Sequence, residues 1–142
     1  MLGTLAKWLR ILGYDCVFDT SLNDNQLVRL ARAEARMLLT RDTELARRRG
    51  LCVMLIEAEV LDDQIRQVLD SLDLKPQRSR SRCSICNERL EPLDHKEAAA
   101  RVPPYVARTQ RLFRACPACG RVYWPGTHWQ QIDQRLAEFY PE

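Results

Sequence analysis

The sequence predicts an α/β fold, with a parallel sheet flanked by helices in the first half and a small cysteine-rich unit in the second. Segments with helical periodicity alternate with short apolar runs as far as Leu72, which is typical of parallel sheets with helical crossovers. Four of the six cysteines then occur as two Cys-x-x-Cys pairs. We therefore expect an α/β domain over 1–74, a linker over 75–82, and the cysteine-rich unit with a terminal helix over 83–142.

Each element of the α/β part is predicted from the spacing of its apolar side chains. Helices carry large apolar residues three or four positions apart, and the strands are short continuous apolar runs, which we expect to be buried. In chain order we expect a helix over 2–12 that Gly13 ends, a strand over 14–18, a helix over 24–35, a strand over 37–40, a helix over 43–49, a strand over 51–56 and a helix over 60–72. The candidates for the N-cap of the second helix are Ser21, Asn23 and Asp24.

The two Cys-x-x-Cys pairs are Cys83 with Cys86 and Cys116 with Cys119. Two residues between thiols let both sulfur atoms reach one ion, and Gly120 follows where such a turn often needs a positive φ. Four thiolates form a closed tetrahedral site for structural zinc, with no open position for a catalytic water. Two disulfides are the alternative, but nothing else in the sequence indicates an oxidising compartment.

The segment between the pairs is longer than in a minimal zinc finger, so it must carry structure of its own. We expect a helical turn at 97–101 and another after Pro103-Pro104, with Tyr105 packed inward. The terminal helix is predicted over 128–140. His95 and His128 are spare zinc-ligand candidates, and Cys16 and Cys52 are expected to be core residues.

Composition and charge limit the class of protein. No apolar run approaches the roughly 20 residues of a membrane span, and no secretory signal is visible, so we expect no membrane association and a cytoplasmic location. Residues 1–74 carry 10 basic and 12 acidic side chains, whereas residues 75–142 carry 12 and 7. The acidic half is suited to metal ions and the basic half to a polyanion. The Arg-Ser linker is a solvated hinge or an RNA contact.

The main catalytic candidate is Asp42, at the end of the run Leu38-Leu39-Thr40-Arg41-Asp42. A strand delivers this carboxylate to the carboxyl edge of the sheet, beside a hydroxyl and the guanidinium of Arg41. Asp24 opens the preceding helix. Such carboxylates bind Mg²⁺ or Mn²⁺, and these ions support phosphodiester hydrolysis. Each carboxylate has a structural alternative as a helix N-cap, and the pattern leaves both roles open.

Several stretches resemble the Mut-seven C-terminal RNase family, bacterial and archaeal proteins within the PIN-like nucleases. The matching stretches are Met1–Asp15, Leu38–Asp42, Arg82–Asn87, Arg101–Val106 and Cys116–Trp129. The resemblance implies a PIN-like α/β nuclease domain joined to a zinc ribbon, and metal-dependent hydrolysis of RNA. It implies Mg²⁺ or Mn²⁺ on Asp42 and Asp24, Arg41 beside them, and zinc on Cys83, Cys86, Cys116 and Cys119.

One departure from the family concerns the start of the chain. Family members usually have a strand before Met-Leu-Gly that ends in the first catalytic Asp. This chain starts at Met1 directly in the helix, so we expect that strand and its Asp to be absent and the chain as written to be inactive. The sheet would then be open to a protein partner or to self-association. A start site assigned too late is the favoured explanation, because the acidic and cysteine motifs are intact; a damaged copy is another.

Two functions therefore follow from the sequence. The first is a metal-dependent ribonuclease that hydrolyses RNA phosphodiesters. The alternative is a non-catalytic zinc-ribbon module that binds RNA or protein, with the α/β half as a scaffold. A thiol redox protein that uses the Cys-x-x-Cys pairs is a third, weaker hypothesis, which a zinc ion on all four thiolates would exclude.

Overall fold

The computed structural model describes residues 2–77, 80–125 and 134. The chain divides into two compact units: unit 1 comprises residues 1–6 and 17–75, and unit 2 comprises residues 7–16 and 76–142. Both contain helices and strands, so the predicted α/β fold class is confirmed. The domain boundaries at 1–74, 75–82 and 83–142 stay a prediction. The helix predicted over 128–140 lies outside the described residues except at Gln134.

Unit 1 contains a parallel pair of strands with helices before, between and after them. The parallel pair has Leu39 opposite Met54, and the connection between the strands contains a short helix, as a parallel crossover requires. In chain order the elements are α1 (Gly3–Ile11), which continues into unit 2, α2 (Asp24–Ala33), β1 (Leu38–Thr40), α3 (Thr43–Ala46), β2 (Val53–Leu55) and α4 (Leu61–Ser71).

The core of unit 1 comes mainly from one face of α4 and from the ends of the other elements. Its buried apolar side chains are Leu5, Ala6, Val28, Ala31, Leu45, Ile56, Ile65, Val68 and Leu69. The prediction that β1 is fully buried is wrong, because only Thr40 of the strand is buried and the preceding Met37 is 42% exposed. The described parallel sheet has only two strands, β1 and β2. Neighbouring elements therefore bury these strands less completely than they would bury a central strand of a wide parallel sheet.

The start of α2 is fixed by a capping box. The Asn23 side chain accepts a hydrogen bond from the Gln26 backbone N–H at 2.9 Å, and the Gln26 side chain accepts one from the Asn23 backbone N–H at 2.9 Å. Asn23 is therefore the N-cap among the three predicted candidates. Asp24 becomes the first helical residue, and its carboxylate is not needed for capping.

The strand predicted over 14–18 is absent, since this segment is irregular in the structure. The Cys16 backbone N–H donates to the Asn87 side-chain oxygen at 3.0 Å, and the Cys16 carbonyl accepts from Arg10 Nε at 2.7 Å. These backbone groups are satisfied by side chains instead of a strand ladder. Val17 and Phe18 are 41% and 43% exposed, so the apolar side chains of this segment are not buried as a strand of the core would be.

Unit 2 contains a three-stranded antiparallel sheet, with a pair of short helices inserted between its first two strands. The elements are β3 (Glu91–Leu93), α5 (His95–Ala99), α6 (Pro104–Thr109), β4 (Phe113–Ala115) and β5 (Val122–Tyr123), and the strand order is β3-β4-β5. Ala98, Val106 and Phe113 form a buried cluster against which Trp124 packs. The inward placement predicted for Tyr105 is wrong: this side chain is 63% exposed, and its neighbour Val106 is buried instead.

Helix α1 ends at Gly13, as predicted, and the end has the hydrogen bonds of a Schellman motif. The Tyr14 N–H donates to the Leu9 carbonyl at 2.9 Å, and the Gly13 N–H donates to the Arg10 carbonyl at 3.0 Å. Gly13 has a φ of +104°, and a Cβ added there would lie 2.7 Å from the Gln77 carbonyl oxygen. A side chain is therefore opposed both by the backbone conformation and by a neighbouring backbone atom.

We expect Gly13→Ala to lower the free energy of unfolding by about 2–4 kcal/mol, because strain and a backbone clash act together. Gly50→Ala is a matched control. Gly50 has a φ of +70°, and the nearest atom to a Cβ there is the flexible Arg32 Nη2 at 3.8 Å. Only the conformational cost of about 1–2 kcal/mol is then expected. Urea denaturation measures both changes, and equal losses would contradict the proposed clash.

Candidate functional site

The four cysteines of the two Cys-x-x-Cys pairs come together in unit 2. Their Sγ atoms all lie within 4.8 Å of one another, and the Cys83 and Cys119 Sγ atoms are 3.8 Å apart. Cys83 and Cys116 are buried, Cys86 is half-buried and Cys119 is exposed. The knuckles, meaning the turns at 83–88 and 116–121, therefore present four sulfur atoms to one point.

The spacing of the sulfur atoms fits a tetrahedral metal ion. Zinc–sulfur bonds of about 2.3 Å at tetrahedral angles would separate neighbouring sulfur atoms by about 3.8 Å. A disulfide would need a separation of about 2.05 Å. All six cysteines are free thiols in the structure, so the alternative of two disulfides is not formed. The four cysteines could hold a metal such as zinc.

The two knuckles have the same backbone hydrogen bonds. In the first, the Cys83 N–H donates to the Glu88 carbonyl, and the Asn87 N–H donates to the Cys83 carbonyl, both at 2.9 Å. In the second, the equivalent bonds from Cys116 to Arg121 and from Gly120 to Cys116 measure 2.9 and 2.8 Å. The positive φ predicted for Gly120 is confirmed at +76°, and Asn87 adopts +62° at the equivalent position.

Asp42 lies directly beyond the carboxyl end of β1 and is the N-cap of α3. Its Oδ1 atom accepts hydrogen bonds from the Glu44 and Leu45 N–H groups, at 2.9 and 3.2 Å. Its own N–H donates to Thr40 Oγ1 at 3.0 Å, which holds the turn between strand and helix. The structural role left open by the sequence is thus real, and it uses one of the two carboxylate oxygens.

Asp24 is an exposed first-turn residue of α2, and Arg41 is half-buried beside Asp42. The Arg48 guanidinium donates to Asn25 Oδ1 at 2.9 Å, which connects the start of α2 to the end of the short α3. Among the described residues, neither Asp24 nor Asp42 belongs to a group of three or more close metal-ligand side chains, whereas the four cysteines do.

Among the described residues, the other predicted candidates, His95, Cys16 and Cys52, do not belong to the cysteine cluster. His95 Nε2 is 2.7 Å from the Ala107 carbonyl oxygen, and the imidazole ring contacts Phe113. His128 is outside the described residues. Cys52 is exposed, so the prediction of a core residue is wrong there, and Cys16 is half-buried.

The linker predicted over 75–82 has a fixed backbone at three described positions. The Gln77 N–H donates to the Leu12 carbonyl, the Arg80 N–H to the Gln77 carbonyl and the Arg82 N–H to the Arg10 carbonyl, at 2.8, 2.9 and 2.8 Å. These bonds lie within unit 2. At Gln77 and Arg82 the segment is therefore held against the end of α1.

Comparison with known families identifies a match over most of the chain. The model of the Mut7-C RNAse domain family matches residues 1–136, which include both units' described elements. The chain belongs to this family. No curated protein and no solved structure matches the chain. The family description indicates a nuclease-type function. Within the described part of this Mut7-C domain, no helix is long and apolar enough to cross a membrane.

Three of the cysteine thiols of the Mut7-C domain, Cys86, Cys116 and Cys119, have shifted pKa values. Hydrogen bonds from the backbone N–H and the guanidinium of Arg121 lower the pKa of Cys119 to about 6. A hydrogen bond with the Cys119 sulfur, together with burial, raises the pKa of Cys86 to about 12. Burial also raises the pKa of Cys116. The thiolate form is therefore favoured at Cys119 over Cys86 and Cys116. A bound divalent cation would favour the thiolate form of its ligands.

Sequence reasoning missed the residues that surround the knuckles of the Mut7-C domain. The Tyr123 hydroxyl lies 3.1 Å from Cys83 Sγ. Burial is the main cause that raises the pKa of Tyr123 to about 12, and the hydrogen bond with Cys83 is the second. Asn87 closes the first knuckle, and its side-chain amide donates to Asp15 Oδ1 at 2.6 Å. Asn is enriched among the non-glycine residues that adopt a positive φ. Asn87 and Gly120 each follow the second cysteine of a pair, and this shared position in the sequence could have indicated that Asn87 closes the first knuckle.

Proposed function

We propose that this Mut7-C RNAse domain is a metal-dependent ribonuclease that hydrolyses RNA phosphodiester bonds. In this proposal Asp42 and Asp24 hold Mg²⁺ or Mn²⁺, Arg41 contacts the RNA phosphate, and Cys83, Cys86, Cys116 and Cys119 hold a structural zinc ion. The domain boundaries 1–74, 75–82 and 83–142 are part of the same proposal. A reducing compartment such as the cytoplasm would keep the thiols available for zinc.

The observation that carries the proposal is that only one of the two carboxylate oxygens of Asp42 accepts the N-cap hydrogen bonds. Both N-cap hydrogen bonds go to Oδ1, and among the described residues Oδ2 accepts none. Asp42 is exposed, so Oδ2 is accessible to solvent at the end of β1. The cap holds the carboxylate through Oδ1 and does not use the second oxygen. The structural and metal-binding roles are therefore compatible in one side chain.

Asp24 is suited to the second ligand position because Asn23 already caps α2. A negative charge in the first turn of a helix is stabilised by the helix dipole. The proposed metal ions would activate a water molecule and stabilise the charge that develops on the phosphate oxygens. The protein side chains hold the ions and orient the phosphate, and the planar Arg41 guanidinium suits a phosphate contact.

The basic side chains of the second half support RNA as the partner. Unit 2 exposes several arginines in its described part, among them Arg89, Arg108, Arg111 and Arg121. Such side chains contribute a salt-dependent attraction to any polyanion. They also support the alternative function, in which unit 2 binds RNA without cleaving it and the α/β part is a scaffold.

The proposal is tested by incubating labelled single-stranded RNA with the zinc-loaded chain. The assay contains Mn²⁺ or Mg²⁺ at millimolar concentration, and omission of both cations is the control. A version preceded by the family's strand with its Asp is assayed beside the chain itself, because the resemblance assigns a further carboxylate to that strand. Cation-dependent cleavage by either protein is the expected result. Zinc content of one ion per chain with RNA binding and no cleavage by either would favour the binding module.

A further inference from the structure

The Arg10 side chain is buried in unit 2 in a manner unusual for a charged group. It is 7% exposed, lies in the last turn of α1 and donates hydrogen bonds through two of its nitrogens. Nε donates to the Cys16 carbonyl at 2.7 Å, and Nη1 contacts the Ser84 and Ile85 carbonyls at 2.8 and 3.4 Å. All its acceptors in the described part of the chain are backbone carbonyl oxygens, and none is a carboxylate. Burial of an unpaired charge is costly, so a compensating negative charge is expected nearby.

The two carbonyls that Nη1 contacts belong to the residues between Cys83 and Cys86. In a trans peptide the carbonyl and the N–H of one unit point in opposite directions. A guanidinium on the carbonyl side therefore leaves the N–H groups on the sulfur side. The geometry agrees at the Ile85–Cys86 peptide, where the oxygen faces Arg10 and the Cys86 N–H lies 3.4 Å from Cys83 Sγ. Arg10 thus fixes the orientation of peptides whose N–H groups face a metal ligand.

The charge of Arg10 also suits this position. One divalent cation with four thiolates carries a net charge of −2, and the Arg10 guanidinium lies behind the peptides of one knuckle. A lysine ammonium would keep the charge, but it lacks the planar fork that reaches the Cys16 and Ser84 carbonyls in two directions. The backbone of Arg10 takes part as well, since its carbonyl accepts from the Arg82 N–H at 2.8 Å.

We propose that Arg10 is a positioning residue of the four-cysteine metal site, which orients the Cys83–Cys86 knuckle and offsets the charge of the thiolate cluster. The end of α1 and the first knuckle then form one cooperative structure. Asn87 supports this arrangement from the other end of the knuckle, through its bonds to Asp15 and Cys16. The proposal rests on the proposed zinc site and is independent of RNA cleavage.

The first test compares zinc affinity among full-length variants by competition with a chromophoric chelator. Arg10→Gln removes both the positive charge and the planar guanidinium, whereas Arg10→Lys keeps the charge and removes the guanidinium. Arg101→Gln is the matched control, because Arg101 is an exposed arginine of the same unit. We expect Arg10→Gln to weaken zinc binding by about 10-fold to 100-fold, as outer-shell substitutions typically do, with Arg10→Lys intermediate and Arg101→Gln unchanged. The Co²⁺ absorption bands should shift in the Arg10 variants and not in the control. Tight zinc binding by the unaltered chain together with equal binding by Arg10→Gln would overturn the role of Arg10 alone, whereas no zinc binding by the unaltered chain would overturn the zinc site itself.

The second test uses the unaltered chain, so it does not depend on whether a variant folds. Hydrogen exchange is measured while Zn²⁺ is added to protein stripped of metal. The Tyr14 and Arg82 amides, which donate to the Leu9 and Arg10 carbonyls, should gain protection at the same Zn²⁺ concentration as the Asn87 amide of the knuckle. Protection of Asn87 without any change at Tyr14 and Arg82 would show that the end of α1 forms independently, and would contradict the proposal.

Discussion

In the version of the chain preceded by the family's strand and its Asp, Asp42→Asn is expected to abolish metal-dependent RNA cleavage while leaving the fold intact. Asn is as good an N-cap as Asp, and its side-chain oxygen can replace Oδ1 as the acceptor for the Glu44 and Leu45 N–H groups. The substitution removes the negative charge that the proposed metal ions require. A loss of several kcal/mol of transition-state stabilisation corresponds to at least about a 100-fold lower cleavage rate. The measurement is the single-turnover rate on labelled RNA, with thermal melting to confirm the fold.

Two further variants separate the catalytic role of Asp42 from its capping role. Asp42→Ala should lose cleavage and also about 1 kcal/mol of stability, because both oxygens are removed. Asp94→Asn is the control, since Asp94 occupies the N-cap position of α5 without making a side-chain cap bond. It should leave both cleavage and melting unchanged. Cleavage by Asp42→Asn at the rate of the same strand-extended version with Asp42 intact would mean that the carboxylate serves only as a cap.

Cys116→Ser is expected to abolish zinc binding and to unfold much of unit 2. Cys116 is 1% exposed, and its N–H and carbonyl groups both close the second knuckle. Structural zinc contributes about 10–16 kcal/mol of apparent binding free energy in zinc-finger peptides, and this energy is unavailable once a ligand is lost. We expect zinc content to fall from one ion per chain to none, and hydrogen-exchange protection of the knuckle amides to disappear.

Cys52→Ser is the matched control for this substitution. Cys52 is an exposed thiol that takes no part in the cluster, so zinc content and exchange protection should remain those of the unaltered chain. Treatment of the unaltered chain with a strong chelator should reproduce the effect of Cys116→Ser. Retention of one zinc ion by Cys116→Ser would mean that the four sulfur atoms do not share one ion.

Much of the fold followed from local patterns because those patterns have local causes. The spacing of Ile65, Val68 and Leu69 places them on one face of α4, and all three are buried. The two cysteine pairs were identifiable because a two-residue gap is set by the geometry of one turn. The parallel pairing of β1 with β2 followed from the intervening helix.

The errors arose where distant side chains replace local partners. The strand predicted over 14–18 assumed a neighbouring strand, but Asn87, 71 positions after Cys16, takes the backbone bond. Arg10 reads in sequence as an ordinary polar residue at the end of a helix, because its carbonyl acceptors at Ser84 and Ile85 are 74 and 75 positions away. Tyr105 and Val106 are adjacent, so a one-residue error in helix phase exchanged the exposed side chain with the buried one.

The shared hydrogen-bond pattern of the two knuckles has a consequence for the rate of metal uptake. Each turn is closed by short-range backbone bonds of its own, so a knuckle can form quickly once an ion binds one pair of sulfur atoms. The slower process is the meeting of two turns separated along the chain, which is a loop-closure problem. The helices α5 and α6 and the Ala98–Val106–Phe113 cluster lie within that loop and shorten its effective length. Packing in this insert, and not sulfur chemistry, is therefore expected to govern how quickly the site assembles.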